Sequence, residues 1–344
     1  VSGGGTQAGA GAPTGVSPEP RVVKGWQAIN LAFNEELERD PRVVVLGEDV
    51  AASGGTYGET RRLLDRFGPE RVRDMPISET AIVGAAVGMA LVGLRPVAEI
   101  LLLDFLGIAS DQLVNQAAKI YGLSGGRVPV PLVLKTAVGT EAGLGAQHSQ
   151  ALEGWYAQIP GLKVVWPSTP RDLHGLLKAA IRDDNPVLFL ESLVLLRETG
   201  PIGGPDDVVP IGVADVARPG RDLTIVTWGT MRGRCLAAAE ELAAEGIEAE
   251  VIDLRSIVPW DRERVLESVA RTHRCLVVTE AVREYGPGGE IAAVVAEECF
   301  DDLDAPVGRV GSPRILAPHI VEYDRERVPQ AAAVVAAARA LVRG

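Results

Sequence analysis

Residues 74–103 read DMPISETAIVGAAVGMALVGLRPVAEILLL. A polar lead broken by Pro76 ends at Ser78-Glu79, and residues 80–91 then run small and apolar with Gly84 and Gly88 inside. That pattern predicts a helix packed closely on a neighbour. Residues 96–103 follow as an almost continuous apolar run, which predicts a strand buried on both faces. Helix followed by buried strand is the repeating unit of a parallel sheet covered by helices.

The alternation continues on both sides. Upstream, residues 26–37 carry an amphipathic helical pattern, and 43–46 (Val-Val-Val-Leu) a short buried strand. Downstream, residues 104–121 predict a helix with Asp104 as N-cap, and 170–182 a helix with Pro170 near its first position. Residues 130–135, 162–166 and 187–190 predict strands. Gly200, Pro201, Gly203, Gly204, Pro205 and Pro210 make 199–212 the linker candidate. A second alternating unit has strands at 223–227, 249–252, 275–279 and 307–310 and helices at 231–245, 262–271, 290–300 and 328–342. The expected fold class is α/β, with two domains of mainly parallel sheet at 21–198 and 213–344. Residues 1–20, almost devoid of large apolar side chains, predict a flexible extension. In sheets of this kind ligands sit at the carboxyl ends of the strands.

Composition narrows the classes. The 344 residues are 47% hydrophobic and 23% charged, enough apolar material for a core in each domain and too few charges for wholesale disorder. Lys plus Arg number 34 against 46 Asp plus Glu, a net charge of −12 that argues against nonspecific nucleic-acid binding. No apolar run reaches the length of a membrane span. Cys235, Cys275 and Cys299 lie in apolar contexts without CxxC or metal spacing and read as small core residues. With no signal-peptide pattern at the start, the expectation is a reducing cytoplasm. No dinucleotide fingerprint, phosphate loop, GxSxG elbow or HExxH occurs. Gly286-Pro287-Gly288-Gly289 reads as a turn, or as an anion seat before a helix.

The chemistry-bearing candidate is Pro76-Ile77-Ser78-Glu79. Taken alone, Ser78 is a helix cap and Glu79 an acid favoured by the helix dipole. Its neighbours add weight. Gly47-Glu48-Asp49 ends the first strand where a crevice is expected, and Glu99-Ile100 leads into Asp104-Phe105. Gln147-His148-Ser149-Gln150 follows the Gly-rich stretch 139–145, and then come Pro160-Gly161-Leu162-Lys163-Val164-Val165 and Ile181-Arg182-Asp183-Asp184-Asn185-Pro186.

In this order and spacing the motifs resemble, over residues 22–342, the beta subunit of the thiamine-diphosphate-dependent first component of 2-oxo acid dehydrogenase complexes (pyruvate, branched-chain 2-oxo acid or acetoin type). The resemblance implies a transketolase-like pyrimidine-binding domain followed by a transketolase C-terminal domain. It makes Glu79 the carboxyl that bonds the pyrimidine ring nitrogen and favours the imino tautomer, which takes the thiazolium proton. A carboxyl in a dry pocket retains or shares a proton near neutral pH, which suits that role. His148 is then the second catalytic residue, orienting the 2-oxo acid carboxylate or moving protons during transfer to the lipoyl arm. Ile77, Leu101 and Phe105 surround the ring, and Glu48 is a further acid near it. Leu132, Ala180, Asp183 and Asn185 match a potassium site of oxygen ligands, although Asp-Asp-Asn-Pro is also a good turn. His174, His273 and His319 have no counterpart and read as surface or helix histidines.

No Gly-Asp-Gly, the motif with which enzymes of this class hold magnesium and the diphosphate, occurs in the chain. The resemblance therefore implies an alpha subunit that supplies that half, a site shared between chains, and a second beta subunit in the assembly. Glu297, Glu298, Asp301, Asp302 and Asp304 would face the basic domain of a lipoyl acyltransferase. The expected activity is oxidative decarboxylation or cleavage with acyl transfer. The alternative is half of a carboligase or transketolase-like enzyme with no acyltransferase, and a non-catalytic scaffold is disfavoured by Glu79, Phe105 and His148 occurring together. Residues 191–197, 280–282 and 313–319 depart from the family pattern and leave the substrate open.

Overall fold

Each buried apolar run becomes a strand of one of two sheets. The computed structural model describes residues 21–343, so the expected extension at 1–20 lies outside the described residues. The first half runs β1 (Arg21–Lys24), α1 (Gly25–Arg39), β2 (Val43–Gly47), α2 (Leu63–Phe67), β3 (Val72–Asp74), α3 (Glu79–Leu91) and β4 (Arg95–Leu102). It continues through α4 (Ala118–Leu123), β5 (Val133–Val138), α5 (Glu153–Ala157), β6 (Lys163–Val165), α6 (Pro170–Arg182), β7 (Val187–Ser192) and β8 (Thr199–Ile202). The second half runs β9 (Asp215–Arg218), β10 (Leu223–Thr227), α7 (Met231–Ala243), β11 (Ala249–Asp253), β12 (Ser256–Val258) and α8 (Arg262–Thr272). It closes with β13 (Cys275–Val282), α9 (Pro287–Glu298), β14 (Gly308–Ser312), α10 (Val321–Arg327) and α11 (Ala331–Arg343).

The larger sheet has the order β12-β6-β7-β5-β4-β2-β3 and is parallel except for β12. The smaller has the order β14-β13-β10-β11-β9 and is parallel except for β9. Local signals explain the elements that match expectation. In α6, Pro170 fits the first turn and the Thr169 hydroxyl accepts the Asp172 N–H at 3.1 Å.

Other segments differ from the sequence expectation. Residues 104–121 do not form one helix. A 3-10 turn at Leu103–Gly107 and a π turn at Gln112–Ala117 precede α4, and Asp104 lies inside the first turn rather than capping it. The chain there tightens to bury Leu103 and Leu106, and the Ser110 hydroxyl bonds back to the Leu106 carbonyl at 3.0 Å, which bends helices. The linker candidate begins as β8, paired antiparallel with β1. The strand at 130–135 starts only at Val133 and runs to Val138. His174 is fully buried, with Nε2 2.9 Å from Glu35 Oε2.

The second half is welded to the first. Through β12 it contributes a strand to the larger sheet, and one apolar core includes Trp166 and Leu190 with Trp228, Ile252 and Ile257. Gly229 has φ +58°, and a Cβ there would stand 2.9 Å from the Trp166 indole nitrogen. Gly229→Ala is expected to cost about 1–3 kcal/mol by overpacking this seam, read as a lower urea midpoint. An unchanged midpoint would show that the seam yields at this position.

Candidate active site

The carboxyl ends of β2, β3, β4 and β5 define one edge of the larger sheet, and most of the expected site residues stand there. Glu48 follows β2. The Asp74 carboxylate at the end of β3 accepts the N–H groups of Ala51 (2.7 Å) and Ala52 (3.1 Å), pinning the loop after Glu48. Ile77, Ser78 and Glu79 then turn into α3. Ser78 occupies the N-cap position without a side-chain cap bond, so capping is not what its side chain contributes. The Thr80 hydroxyl donates to the Ile108 carbonyl at 3.0 Å and ties the start of α3 to the turn bearing Phe105.

Glu79 is the first residue of α3 and is buried. Among the described residues its carboxyl makes no hydrogen bond or ion pair. Around it the surface is apolar: Ile77 is 82% exposed, and Leu101 and Phe105 are half-buried. The Glu48 carboxyl is raised above the ordinary range, first by burial and then by the charges of Glu79, Asp49 and Glu99. His148 packs edge-on against Phe105, with ring centroids 5.2 Å apart and planes at 83°. Next to them, Asp104 accepts the Gln150 amide at 2.7 Å, and burial raises its pKa. The edge thus offers a buried carboxyl lacking an internal partner, a second acid tuned by it, and an imidazole on an aromatic ring. An uncharged, nitrogen-containing aromatic ring with a hydrogen-bonding edge fits these donors and acceptors.

Leu132, Ala180, Asp183 and Asn185 lie at the opposite edge, where β5 and β7 begin. The Leu132 carbonyl accepts the Val187 N–H at 2.8 Å and that of Ala180 accepts the Asp183 N–H at 3.3 Å. The Asp183 carboxylate accepts from Lys163 Nζ at 2.5 Å and from the Asn185 N–H and side-chain amide, both at 2.9 Å. Arg95 donates to the Asp183 carbonyl at 3.0 Å. Lys163 and Arg95 thus place positive charge at Asp183, while the Leu132 and Ala180 carbonyls accept backbone N–H groups.

Two buried acidic groupings had not been foreseen. On the floor of the edge, Lys135 Nζ contacts Glu59 (2.6 Å), Glu191 (2.7 Å) and Glu99 (2.9 Å), all buried. Glu59 and Glu191 are raised, burial being the largest cause. At the seam between the halves, burial pushes Glu153 up to about 7 and Glu280 up to about 8. The signal available was an acid inside an apolar run, as in Leu-Glu-Ser at 190–192 or Thr-Glu-Ala at 279–281.

The family model described as the transketolase pyrimidine binding domain matches residues 22–198, and that of the transketolase C-terminal domain matches 212–334. The chain is 43% identical over 338 residues to the rice mitochondrial pyruvate dehydrogenase E1 component subunit beta-2, covering 97% of this chain and 90% of that protein. It is 45% identical over 297 residues to the 2-oxoisovalerate dehydrogenase subunit beta of Bacillus subtilis, covering 86% and 91%. To the beta subunit of acetoin:2,6-dichlorophenolindophenol oxidoreductase of Cupriavidus necator it is 43% identical over 327 residues, covering 92% and 96%. A solved split-gene transketolase, an inactive beta4 tetramer, superposes with a TM-score of 0.76 at 26% identity, over 93% of this chain and 98% of that one.

The seam acids make stability depend on pH. Glu153 has an unperturbed value of 4.5 and a native value of about 7. Its contribution is complete below the lower value and is lost as pH rises through the higher one, because only the native state holds the proton between them. Glu280 extends the window to about 8. The melting temperature is expected to fall from about pH 5 to about pH 8, with a shallower slope in Glu153→Gln. Equal slopes in the two proteins would refute the assignment.

Proposed function

The chain belongs to the family of beta subunits of the thiamine-diphosphate-dependent first component of 2-oxo acid dehydrogenase complexes, and from that premise we propose that the edge around Glu79 is its half of the active site. When bound, thiamine diphosphate supplies an acidic carbon that becomes the nucleophile and electron sink for cleaving a 2-oxo acid or acyloin. Glu79 would hydrogen-bond the ring nitrogen of the aminopyrimidine, the contact through which the protein would tune the cofactor. Leu101 and Phe105 pack on the ring, Ile77 completes its apolar surround, and Glu48 supports the second acidic position. His148, fixed on Phe105, orients the substrate carboxylate or moves a proton during acyl transfer. Glu79, 9% exposed and with no carboxyl partner among the described residues, beside the 82% exposed Ile77, carries this reading, because an acid and an apolar side chain so placed would both gain from a covering ring.

The diphosphate and magnesium belong, in this reading, to an alpha subunit that closes over the edge, with a second beta subunit in the assembly. A lipoyl acyltransferase would meet the exposed acids Glu297, Glu298, Asp301, Asp302 and Asp304. The potassium corner is assigned a structural role with or without the ion, since Lys163 and Arg95 already serve its oxygens. Among the described residues no helix is long and apolar enough to cross a membrane, and the three cysteines are free, buried thiols suited to a reducing compartment. The relatives are dehydrogenase or oxidoreductase subunits, which favours oxidation over the carboligase alternative.

The test is co-purification with the alpha chain and assay of a panel of 2-oxo acids and acetoin with an artificial electron acceptor. Glu79→Gln should assemble normally yet lose about 100-fold or more in turnover; wild-type turnover would remove Glu79 from its role. The lone chain with thiamine diphosphate and magnesium should show no turnover. Full activity without an alpha chain would sink the half-site reading.

A further inference from the structure

His148 reaches Phe105 from the loop that joins β5 to α5, residues 139–149. In the first half, His148 rests on Phe105 and the neighbouring Gln150 bonds Asp104. Among the described residues, the side-chain hydrogen bonds to residues 139–149 come from the second half. Thr140 donates its hydroxyl to Glu280 Oε1 on β13, and Glu280 Oε2 takes the hydroxyl of Thr230 at the start of α7. Glu141, in the left-handed region at φ +66°, is paired with Arg234 of α7, which also donates to the Pro329 carbonyl at 2.8 Å. Asp324 of α10 accepts the Gly143 N–H at 3.3 Å, and Arg327, paired with Asp324, donates to the Ser149 carbonyl at 3.3 Å.

The loop is also folded tightly on itself. A Cβ on Gly139 would stand 1.9 Å from the His148 carbonyl oxygen, so the two ends of the loop touch. A Cβ on Gly143 would meet Val321 at 2.5 Å, and one on Gly145 the His319 ring at 2.2 Å. A shift at Thr140 therefore has no slack to absorb it before it reaches His148.

We propose that Glu280 is a positioning residue for His148, its carboxyl clamping Thr140 so that the loop delivers the imidazole to Phe105. This rests on the reading of His148 given above. Glu280 is 1% exposed and has two hydroxyl partners but no cation of its own, since Arg234 serves Glu141. The charged and titratable groups around it are Glu141 on the loop, Glu153 on α5 and Arg234 on α7. Burial pushes this carboxyl up to about 8, and the Thr140 and Thr230 hydroxyls each donate to one of its oxygens. Above that value it becomes a carboxylate in a dry seam beside Glu141 and Glu153.

The experiment uses the heteromer assembled with the alpha chain. Glu280→Leu and Thr140→Val (which leaves Glu280 and Thr230 in place) should lower kcat about 10- to 100-fold. Glu280→Gln, whose side-chain amide can keep a hydrogen bond to each hydroxyl, should recover most of that loss. Glu280→Leu in a His148→Ala background should add nothing, because both changes act through one imidazole. Hydrogen exchange of residues 139–149 should quicken about tenfold in Glu280→Leu and Thr140→Val, as expected for roughly one lost hydrogen bond, and not in Glu280→Gln. Additive losses, or unchanged exchange in both clamp variants, would overturn the proposal. Normal turnover by His148→Ala would instead remove the reading of His148, and the exchange measurement would still decide the clamp.

Discussion

One apolar core that ignores the division between the halves is what the rest of this structure depends on. It runs from Ile82 and Val83 of α3, under Leu134 and Leu190, through Trp166 and Trp228 into Ile252 and Val277. β12 adds a strand of the second half to the sheet of the first. Because this contact excludes water, the second half is a wall of the candidate site rather than an appendage. The loop carrying His148 takes its shape from that wall.

Dryness also sets the electrostatics. A carboxyl removed from water keeps its proton unless a cation or several donors face it. At the floor of the site three carboxyls share one ammonium, on Lys135, and Glu59 Oε1 and Glu191 Oε2 are buried without partners. Burial, first of all, raises the Glu59 and Glu191 carboxyls. At the seam, burial and then the charge of Asp172 push Asp253 up to about 8, although Arg232 stands 3.3 Å away and Ser168 donates to it at 2.8 Å. Raised carboxyls thus recur behind the active edge, at Glu59, Glu191, Glu153 and Glu280. That suits an edge whose leading carboxyl is assigned a hydrogen bond to a ring nitrogen.

The exposed apolar side chains are consistent with an unfinished site. Ile77 and Ile108, at 82% and 64% exposure, flank the turn into α3 and the turn carrying Phe105. Ile315 and Leu316 are exposed as well, in the segment before His319. A parallel α/β sheet needs neither group uncovered. Both lie where a second polypeptide closing over the carboxyl edge would gain apolar contact.

The sequence by itself determined the alternation of strands and helices, because buried parallel strands leave unmistakable apolar runs and capped helices announce their starts. α6 and β10 fall on residues 170–182 and 223–227 for that reason. It also singled out Glu79 as the candidate acid, since Pro76-Ile77-Ser78-Glu79 is a local motif whose neighbours follow in the order of the family. What it could not determine were pairings made at a distance. β8 hid inside a Gly/Pro-rich string because its only partner is β1, some 180 positions earlier. β12 is three residues long and exists because β6 lies beside it. Glu280 shows in the sequence as an acid in an apolar strand, but that its partner is Thr140 on the His148 loop follows only from the way two halves of the chain close on one core. Local periodicity reports what a segment buries. Which segments bury it together is decided by packing.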